Sequence, residues 1–270
     1  MPDIHPYENT PRDVVVTAID YADGELFPDH AHPRGQFAYA SRGVITVYTA
    51  TGNWVVPPRR AIWVPPHVSH AMLMRGSVTM LNTYIRPQAA RRLELPQTCQ
   101  VLDVSPLLGQ LLEKAVEVPA RYAMGGRDSY LMGLLLHEIA QMPLLPLCAP
   151  LPAEPRLAKA CEEFLAGPSL EVSIDAMAFG AGMSRRTFTR HFRQATGVSY
   201  LQWRQQACLL AGIVRLGNGE PVTRVALDLG YSSPSAFATV FKRVLGEVPS
   251  RYFAKELRGG VGRGTYPLFR

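Results

Sequence analysis

Three histidines and one glutamine in the first third of the chain form the set of side chains best suited to holding a metal ion. His30 and His32 lie two positions apart, so a β-strand places both imidazoles on the same face. His70 from a facing strand completes three nitrogen ligands, and Gln36 adds an oxygen. This set suits a divalent ion such as Ni, Zn, Fe or Mn. Two alternatives stay open, since the same side chains could line an effector pocket or form a hydrogen-bonded cluster without metal.

Acid–base chemistry is poorly represented around these histidines. No aspartate or glutamate occurs between Asp29 and Glu94, so a substrate held there would have no evident general acid or base nearby. We therefore predict no catalytic residue and no organic cofactor, and we expect that the chain is not an enzyme. A metal-dependent enzyme, either a dioxygenase or an isomerase, is the alternative function.

A repeat in the second half of the chain carries a different chemistry. The segment Met177–Ser184 matches Val225–Ser232 at an offset of 48 positions, with alanine, glycine and serine in common. Each copy predicts a short helix, a glycine turn and a second helix that begins at a serine cap and ends at a glycine. The second helices share two phenylalanines and the final glycine at an offset of 49: Phe188, Phe192 and Gly197, then Phe237, Phe241 and Gly246.

The side chains outside the phenylalanine stripe suggest what these helices bind. Arginine recognises guanine in the major groove and also contacts phosphates, and the first helix is rich in arginine. The second helix offers hydroxyls and two late cations, which suit phosphate contact, so we expect the first to discriminate sequence more strongly. The predicted DNA-binding residues are Ser184, Arg185, Arg186, Thr189, Arg190 and Arg193 in the first unit, and Ser233, Ser235, Thr239, Lys242 and Arg243 in the second.

The helix that separates the two units fits this interpretation. Apolar residues at helical spacing predict a helix from Ser199 to about Leu216. Eighteen helical residues span about 27 Å, which suits two recognition helices set about one DNA turn, ~34 Å, apart. One chain could then enter two successive major-groove segments of double-stranded DNA.

The second half closely resembles the AraC/XylS family of bacterial transcription regulators. The resemblance runs from about Arg156 to Phe253, and its most specific parts are Gly219–Phe237, Phe241–Arg243 and Gly246–Phe253. It implies that the first recognition helix contacts bases through Arg186, Thr189 and Arg190, with Ser235 and Thr239 on the corresponding face of the second helix. It also favours an activator, for which RNA polymerase would be a partner.

The first half is similar to the metal-type cupin sensors of such regulators. Residues 24–43 resemble the first cupin motif, with Gln36 in place of the usual glutamate, and His70 resembles the histidine of the second motif, although His67 stands where glycine is usual. The resemblance implies an RmlC-like jelly roll that senses a metal or a small-molecule effector. Some regulators of this kind control a neighbouring exporter gene.

Helices are expected between the sensor strands and the repeat. Ser105-Pro106 predicts a helix start, with the helix running to about Val118, and Arg127–Met142 carries a second helical pattern. A leucine-rich stripe on the first of them either covers the barrel or forms the face of a homodimer. The stripe consists of Leu107, Leu108, Leu111, Leu112 and Val116.

These patterns predict an α+β protein of two domains, an N-terminal β-barrel of cupin type and a C-terminal all-α double helix-turn-helix domain. Five prolines within residues 143–155 indicate an extended linker. The predicted divisions are a sensor barrel over residues 1–102, a helical and dimerising segment over 103–142, the linker over 143–155, the DNA-binding domain over 156–257 and a flexible tail over 258–270.

Charge and cysteine content agree with a cytoplasmic DNA-binding protein. Residues 1–150 contain 12 Lys and Arg against 13 Asp and Glu, a balance of −1, whereas residues 151–270 contain 16 against 9, a balance of +7. A basic half indicates nucleic acid as its partner. The four cysteines form no CxxC pair, and no run of eighteen apolar residues or secretory signal is evident. We therefore expect no membrane association.

Overall fold

A computed structural model describes residues 10–258, and these residues divide into two compact units. The first comprises the chain up to Val47 together with Val56–Leu145, and the second comprises Tyr48–Val55 together with the chain from Pro146 onwards. Of the predicted tail over residues 258–270, all but Arg258 lies outside the described residues. Within residues 10–258, no helix has both the length and the apolar character needed to cross a membrane.

The β-strands of the chain pair in antiparallel fashion. In chain order they are β1 Val14–Tyr21, β2 Leu26–His30, β3 Gly35–Thr49, β4 Gly52–Val56, β5 Arg60–Val64, β6 His70–Ile85, β7 Gln100–Asp103, β8 Leu144–Leu145 and β9 Cys148–Pro150. Strand β6 pairs with both β1 and β2, and it brings His70 opposite His30. Strand β5 lies between β3 and β7. The β3–β5 register places Gln36 opposite Val64.

Three helices of the first unit cover one face of this sheet: α1 Pro87–Arg92, α2 Pro106–Ala115 and α3 Arg127–Gln141. The predicted start of α2 is confirmed, because the Ser105 hydroxyl accepts a hydrogen bond from the Leu108 amide at 3.0 Å. Its leucine stripe is divided. Leu108 and Leu112 are fully buried in the core, whereas Leu107 is 52% exposed.

The proline-rich segment predicted as a linker carries two short pairing strands. Strand β8 pairs with β7 in the first unit. Strand β9 pairs with β4 in the second unit, from Gly52 opposite Pro150 to Trp54 opposite Cys148. The Trp203 indole nitrogen donates to the Pro150 carbonyl at 2.8 Å. Because proline lacks an amide donor, some of the hydrogen bonds that hold this segment are donated by neighbouring residues such as Trp203.

The rest of the second unit is helical: α4 Pro155–Ala166, α5 Ile174–Gly180, α6 Arg185–Thr196, α7 Tyr200–Gly217, α8 Val222–Asp228, α9 Pro234–Leu245 and α10 Pro249–Arg258. Helices α5 and α6 form one helix-turn-helix, and α8 and α9 form the other, with α7 between them. The predicted fold class is therefore confirmed as an antiparallel sheet domain followed by a helical double helix-turn-helix domain.

Candidate nucleic-acid interface and histidine cluster

Helix α6 is built by strong local signals at both ends. The Ser184 hydroxyl accepts a hydrogen bond from the Thr187 amide at 3.3 Å, which satisfies one of the free amides of the first turn. Gly197 ends the helix with a left-handed φ of 77°, and Gly182 makes the preceding turn at φ 64°. Both are conformations in which glycine carries no steric cost. The predicted cap and both glycine turns are confirmed.

Packing of its aromatic stripe fixes which face of α6 points to solvent. Phe188 and Phe192 are fully buried and stack at 5.2 Å. The opposite face is exposed and holds four arginines and no acidic residue: Arg185, Arg186, Thr189, Arg190 and Arg193. The Thr189 hydroxyl donates to the Arg185 carbonyl of its own helix at 2.8 Å. This face is a dense row of cationic donors, which is the chemistry that major-groove bases and phosphates require.

Ion pairing distinguishes members of this row. Arg185 lies 3.3 Å from Asp175 of α5 in an exposed pair, so part of its charge is compensated within the protein. Arg190 has no such acidic neighbour among the described residues and contacts the ring of His191 at 3.3 Å. Arg190 is therefore the better base-reading candidate of the two.

Helix α9 repeats the frame of α6 with different side chains. Ser233 caps it through the Ala236 amide at 3.1 Å, and Gly246 ends it at φ 83°. The predicted candidates Ser235, Thr239, Lys242 and Arg243 are exposed. The Thr239 hydroxyl donates to the Ser235 carbonyl, as Thr189 does in α6. Arg243 donates to the Gln205 amide oxygen of α7 at 3.4 Å. Only two cations remain, and both lie in the last turn.

Helix α7 holds the two recognition units together. It begins with a capping box in which Ser199 and Gln202 satisfy each other's main-chain amides. Its Trp203 is buried and contacts Phe192 at 5.6 Å between ring centres. Further along, a Cβ at Gly212 would lie 2.8 Å from the ring of Phe237. The absent side chain therefore lets α7 and α9 approach closely.

The structure brings the three predicted histidines of the first unit together. The candidate ligand atoms of His30, His32 and His70 all lie within 4.8 Å of one another. The Nδ1 atom of each ring is hydrogen-bonded to a main-chain carbonyl: Pro28 for His30, Arg34 for His32 and Val68 for His70. A carbonyl only accepts, so each Nδ1 of a neutral ring carries the proton and each Nε2 keeps its lone pair.

Gln36 completes this cluster. Its Oε1 lies 3.2 Å from Nε2 of both His32 and His70, and its Nε2 donates to Asn82 Oδ1 at 2.7 Å. In this orientation of the Gln36 amide, its Oε1 faces the lone pairs of His32 Nε2 and His70 Nε2, so three hydrogen-bond acceptors face one another. The side chains of His32, Gln36 and His70 are each 3% exposed or less. Burial, the largest cause, lowers the pKa of His70 to about 4, so this imidazole is neutral at pH 7 and able to act as a ligand.

Several residues that the sequence analysis did not single out belong to these sites. Gln194 lies on the arginine face of α6 beside Arg190, and its i,i+4 spacing from Arg190 was the available signal. Asn82 orients Gln36 from a position 46 residues away, for which the sequence offers no local signal. Arg34 is buried beside His32 and donates to main-chain carbonyls near the start of the described chain.

Comparison with known proteins agrees with both halves of this description. A family model described as AraC-like ligand binding domain matches residues 14–135, and one described as helix-turn-helix domain matches residues 177–255. The HTH-type transcriptional regulator NimR of Escherichia coli is 32% identical over 228 residues, which cover 84% of this chain and 82% of that protein. The arabinose operon regulatory protein of E. coli is 27% identical over 212 residues, covering 75% of this chain and 63% of that protein.

A solved structure is similar to the second half. The DNA-binding domain of AdpA, described as a global transcriptional factor in complex with a target DNA, is 34% identical, covers 40% of this chain and 98% of that chain, and has a TM-score of 0.37.

Fold, sites and relatives together define a helix-turn-helix transcription regulator with a ligand-binding domain at its N-terminus, and they favour this function over that of an enzyme. The chain belongs to the AraC/XylS family. The resemblance found in the sequence is thus confirmed.

Proposed function

We propose that this regulator recognises its operator mainly through the exposed face of α6. The observation that carries the proposal is the arginine row itself, which is solvent-exposed, free of acidic residues and held on a helix capped at both ends. A rigid helix presents Arg186, Thr189 and Arg190 to base edges at fixed spacing, which suits bidentate contacts to guanine.

Helix α9 serves chiefly as a phosphate anchor in this proposal. Its exposed face holds the hydroxyls of Ser235 and Thr239, and its two cations, Lys242 and Arg243, lie in the last turn. Phosphate contacts fix the position of a protein on the duplex and carry no sequence information directly. One helix-turn-helix would then supply most of the discrimination, and the other would supply affinity and register.

Selection of sheared genomic DNA by the purified full chain, followed by sequencing at a stated salt concentration, tests this function. We expect enrichment of a few sites. Arg190→Ala should reduce the enrichment and broaden the selected sequence at one position, because an arginine–guanine contact contributes about 1–3 kcal/mol. Lys159→Ala is the matched control, since Lys159 is an exposed cation on α4. Equal loss in both variants would contradict base reading by α6.

We further propose that the regulator activates transcription in the cytoplasm, with RNA polymerase as its second partner and a neighbouring transporter gene as its first target to examine. The support is the family resemblance. In-vitro transcription from a promoter selected as above should increase when the protein is added. A decrease would assign repression instead.

A homodimer is also part of this proposal. Helix α3 exposes Tyr130 and Leu134 at i,i+4 spacing, 71% and 47% respectively, and α2 exposes Leu107. Apolar side chains at this spacing form one stripe on a helix. Light scattering should give twice the chain mass, and Tyr130→Ser with Leu134→Ser should give a monomer. An unchanged mass in the double variant would assign the contact to another surface.

We propose that the histidine cluster binds a divalent cation, for which Ni, Zn, Fe and Mn are the candidates. The residues fit such an ion because the candidate ligand atoms of three imidazoles and one amide oxygen converge, with His32, Gln36 and His70 buried and His30 partly exposed. Hydrogen bonds from metal-bound imidazoles to carbonyls are the usual way of orienting these ligands. A bound cation supplies the positive charge that such a set of acceptors lacks. Metal analysis of the purified chain should find one equivalent.

A further inference from the structure

A cavity separate from the histidine cluster lies beside α3. It has a volume of about 220 Å³ and is bounded on one side by the chain from Pro11 to Val14. The other side is one face of α3, formed by Ser129, Met132, Gly133, Leu136 and His137. Their spacing of three and four residues places them in a single row. The cavity therefore has a rigid helical wall and a wall made by the segment that leads into β1.

Arg12 gives this cavity a cationic edge. Its Nε donates to the Tyr122 carbonyl at 2.6 Å, and its guanidinium lies 5.3 Å from the centre of the Tyr122 ring. Among residues 10–258 neither terminal nitrogen of Arg12 has an ion-pair partner. The other arginine at the rim, Arg92, is bound to Asp13 at 2.8 Å. Within the described part of the chain, one guanidinium of the cavity lining is thus without an ion-pair partner, and the lining also includes the apolar side chains of Met132 and Leu136.

Helix α3 has a glycine, Gly133, where it borders the cavity, although glycine has a low helix propensity. Gly133 lies in the middle of α3, where alanine would be favoured by about 1 kcal/mol. A Cβ built at Gly133 meets nothing within 4 Å. Sterics therefore do not require the glycine, and because Gly133 lines the cavity, we expect a large side chain at this position to occupy part of that space.

We propose that this cavity binds a small monocarboxylate with an apolar body, and that this molecule is an effector of the regulator. A planar guanidinium pairs with a carboxylate through two parallel hydrogen bonds. The volume is below the roughly 300–1,000 Å³ usual for drug-sized ligands and equals about seven waters. Such a space suits a molecule the size of benzoate and is too small for a nucleotide. The effector role rests on the proposed function, whereas binding itself does not.

The position of Arg12 connects the cavity to the loop that carries His32. The Arg12 carbonyl accepts from Arg34 Nη1 at 3.0 Å, and the Thr10 carbonyl accepts from Arg34 Nη2 at 2.7 Å. The Arg34 carbonyl in turn accepts from His32 Nδ1. A ligand that binds the Arg12 guanidinium therefore contacts the segment that Arg34 hydrogen-bonds, and Arg34 lies in the same loop as His32.

Calorimetric titration of the full chain with benzoate, phenylacetate and 3-methylbutanoate tests the proposal, with benzamide as the uncharged control. We expect saturable binding of at least one acid and none of the amide. Arg12→Gln should weaken binding about tenfold or more. Gly133→Leu should abolish it by filling the cavity, and Gly133→Ala should keep the protein folded with weaker or equal binding.

Three results would overturn the proposal: no binding of any of the three acids at millimolar concentration, equal binding of benzamide, or unchanged binding by a folded Gly133→Leu protein. Genomic DNA selection with the Gly133→Leu protein separates this proposal from the proposed function. If the Gly133→Leu protein still enriches the same genomic sites but no longer binds the acid, the ligand site is in this cavity and is separate from the DNA-binding surface. If the wild-type protein enriches no genomic sites, the result contradicts the DNA-binding surface proposed above and leaves the acid-binding test unaffected.

Discussion

Substitution of His70 by glutamine separates a metal site from a purely hydrogen-bonded cluster. His70 is fully buried, and its Nε2 lies 3.2 Å from Gln36 Oε1. Glutamine keeps a polar group there and removes one imidazole ligand. The variant will be less stable for packing reasons alone, so the informative quantity is the change in melting temperature that added metal causes in each protein.

The size of that change follows from mass action. An ion present at 100 times its Kd stabilises the folded state by about 2.7 kcal/mol. For a protein of this size about 1 kcal/mol corresponds to 2–4 °C, so the wild type should gain roughly 5–10 °C on addition of cobalt(II) after chelation. His70→Gln should gain little, because loss of a ligand of this kind weakens binding strongly.

Calorimetry of the chelated full chain, with and without cobalt(II), measures this difference, and ligand-field absorption reports the coordination directly. His67→Asn is the matched control, because His67 is an exposed histidine three residues away at φ 64°, a conformation that asparagine tolerates. It should respond to cobalt(II) as the wild type does. A wild type that shows neither a thermal shift nor an absorption band would refute the metal site and leave the hydrogen-bonded cluster.

The remaining predictions concern the helical unit. Arg190→Ala should relax operator specificity at one position, whereas Lys242→Ala should weaken binding to all sequences and reduce the slope of log K against log salt concentration by about one. Fluorescence anisotropy at several salt concentrations distinguishes the two variants. Identical profiles would contradict base reading by α6 and phosphate contact by α9. Gly212→Ala should lower the free energy of unfolding by about 1–2 kcal/mol, since overpacking outweighs the gain in helix propensity; stabilisation in urea melts would contradict the close approach. Trp203→Phe leaves the Pro150 carbonyl without its 2.8 Å donor and should cost about 1–3 kcal/mol in the same melts.

Local rules account for the parts of the fold that the sequence predicted well. The caps at Ser184 and Ser105 and the turn at Gly197 depend on residues within four positions, so the chain segment itself contains the signal. The same does not hold for His30 and His32, because strand β2 ends at His30 and His32 lies in the loop before β3, so the predicted alternation of the two on one strand is wrong. The two recognition helices could therefore be located, and their exposed faces named, before any tertiary structure was known.

Non-local pairing explains what the sequence did not disclose. The proline-rich segment was predicted as an extended linker, and its proline content gave no sign that β9 pairs with a hairpin almost a hundred residues earlier, which clusters with the helical unit. The partner of Gln36, Asn82, is likewise distant in sequence. The two faces of α2 were undecided because burial depends on which elements cover the sheet, and periodicity identifies only a stripe.

Arg34 shows how two sites in one domain can influence each other without a shared ligand. Its guanidinium holds the carbonyls of Thr10 and Arg12, which position the cationic edge of the cavity, while its own carbonyl fixes the proton of His32. We expect an arrangement of these bonds that favours one site to change the other, because the guanidinium and the main-chain carbonyl involved belong to the same buried residue. Linkage then requires reciprocity: if a carboxylate raises the affinity for a metal ion by some factor, the ion raises the affinity for the carboxylate by the same factor. A regulator built in this way would combine two chemical signals in its ligand-binding domain, with the population of a single conformational state as their common output.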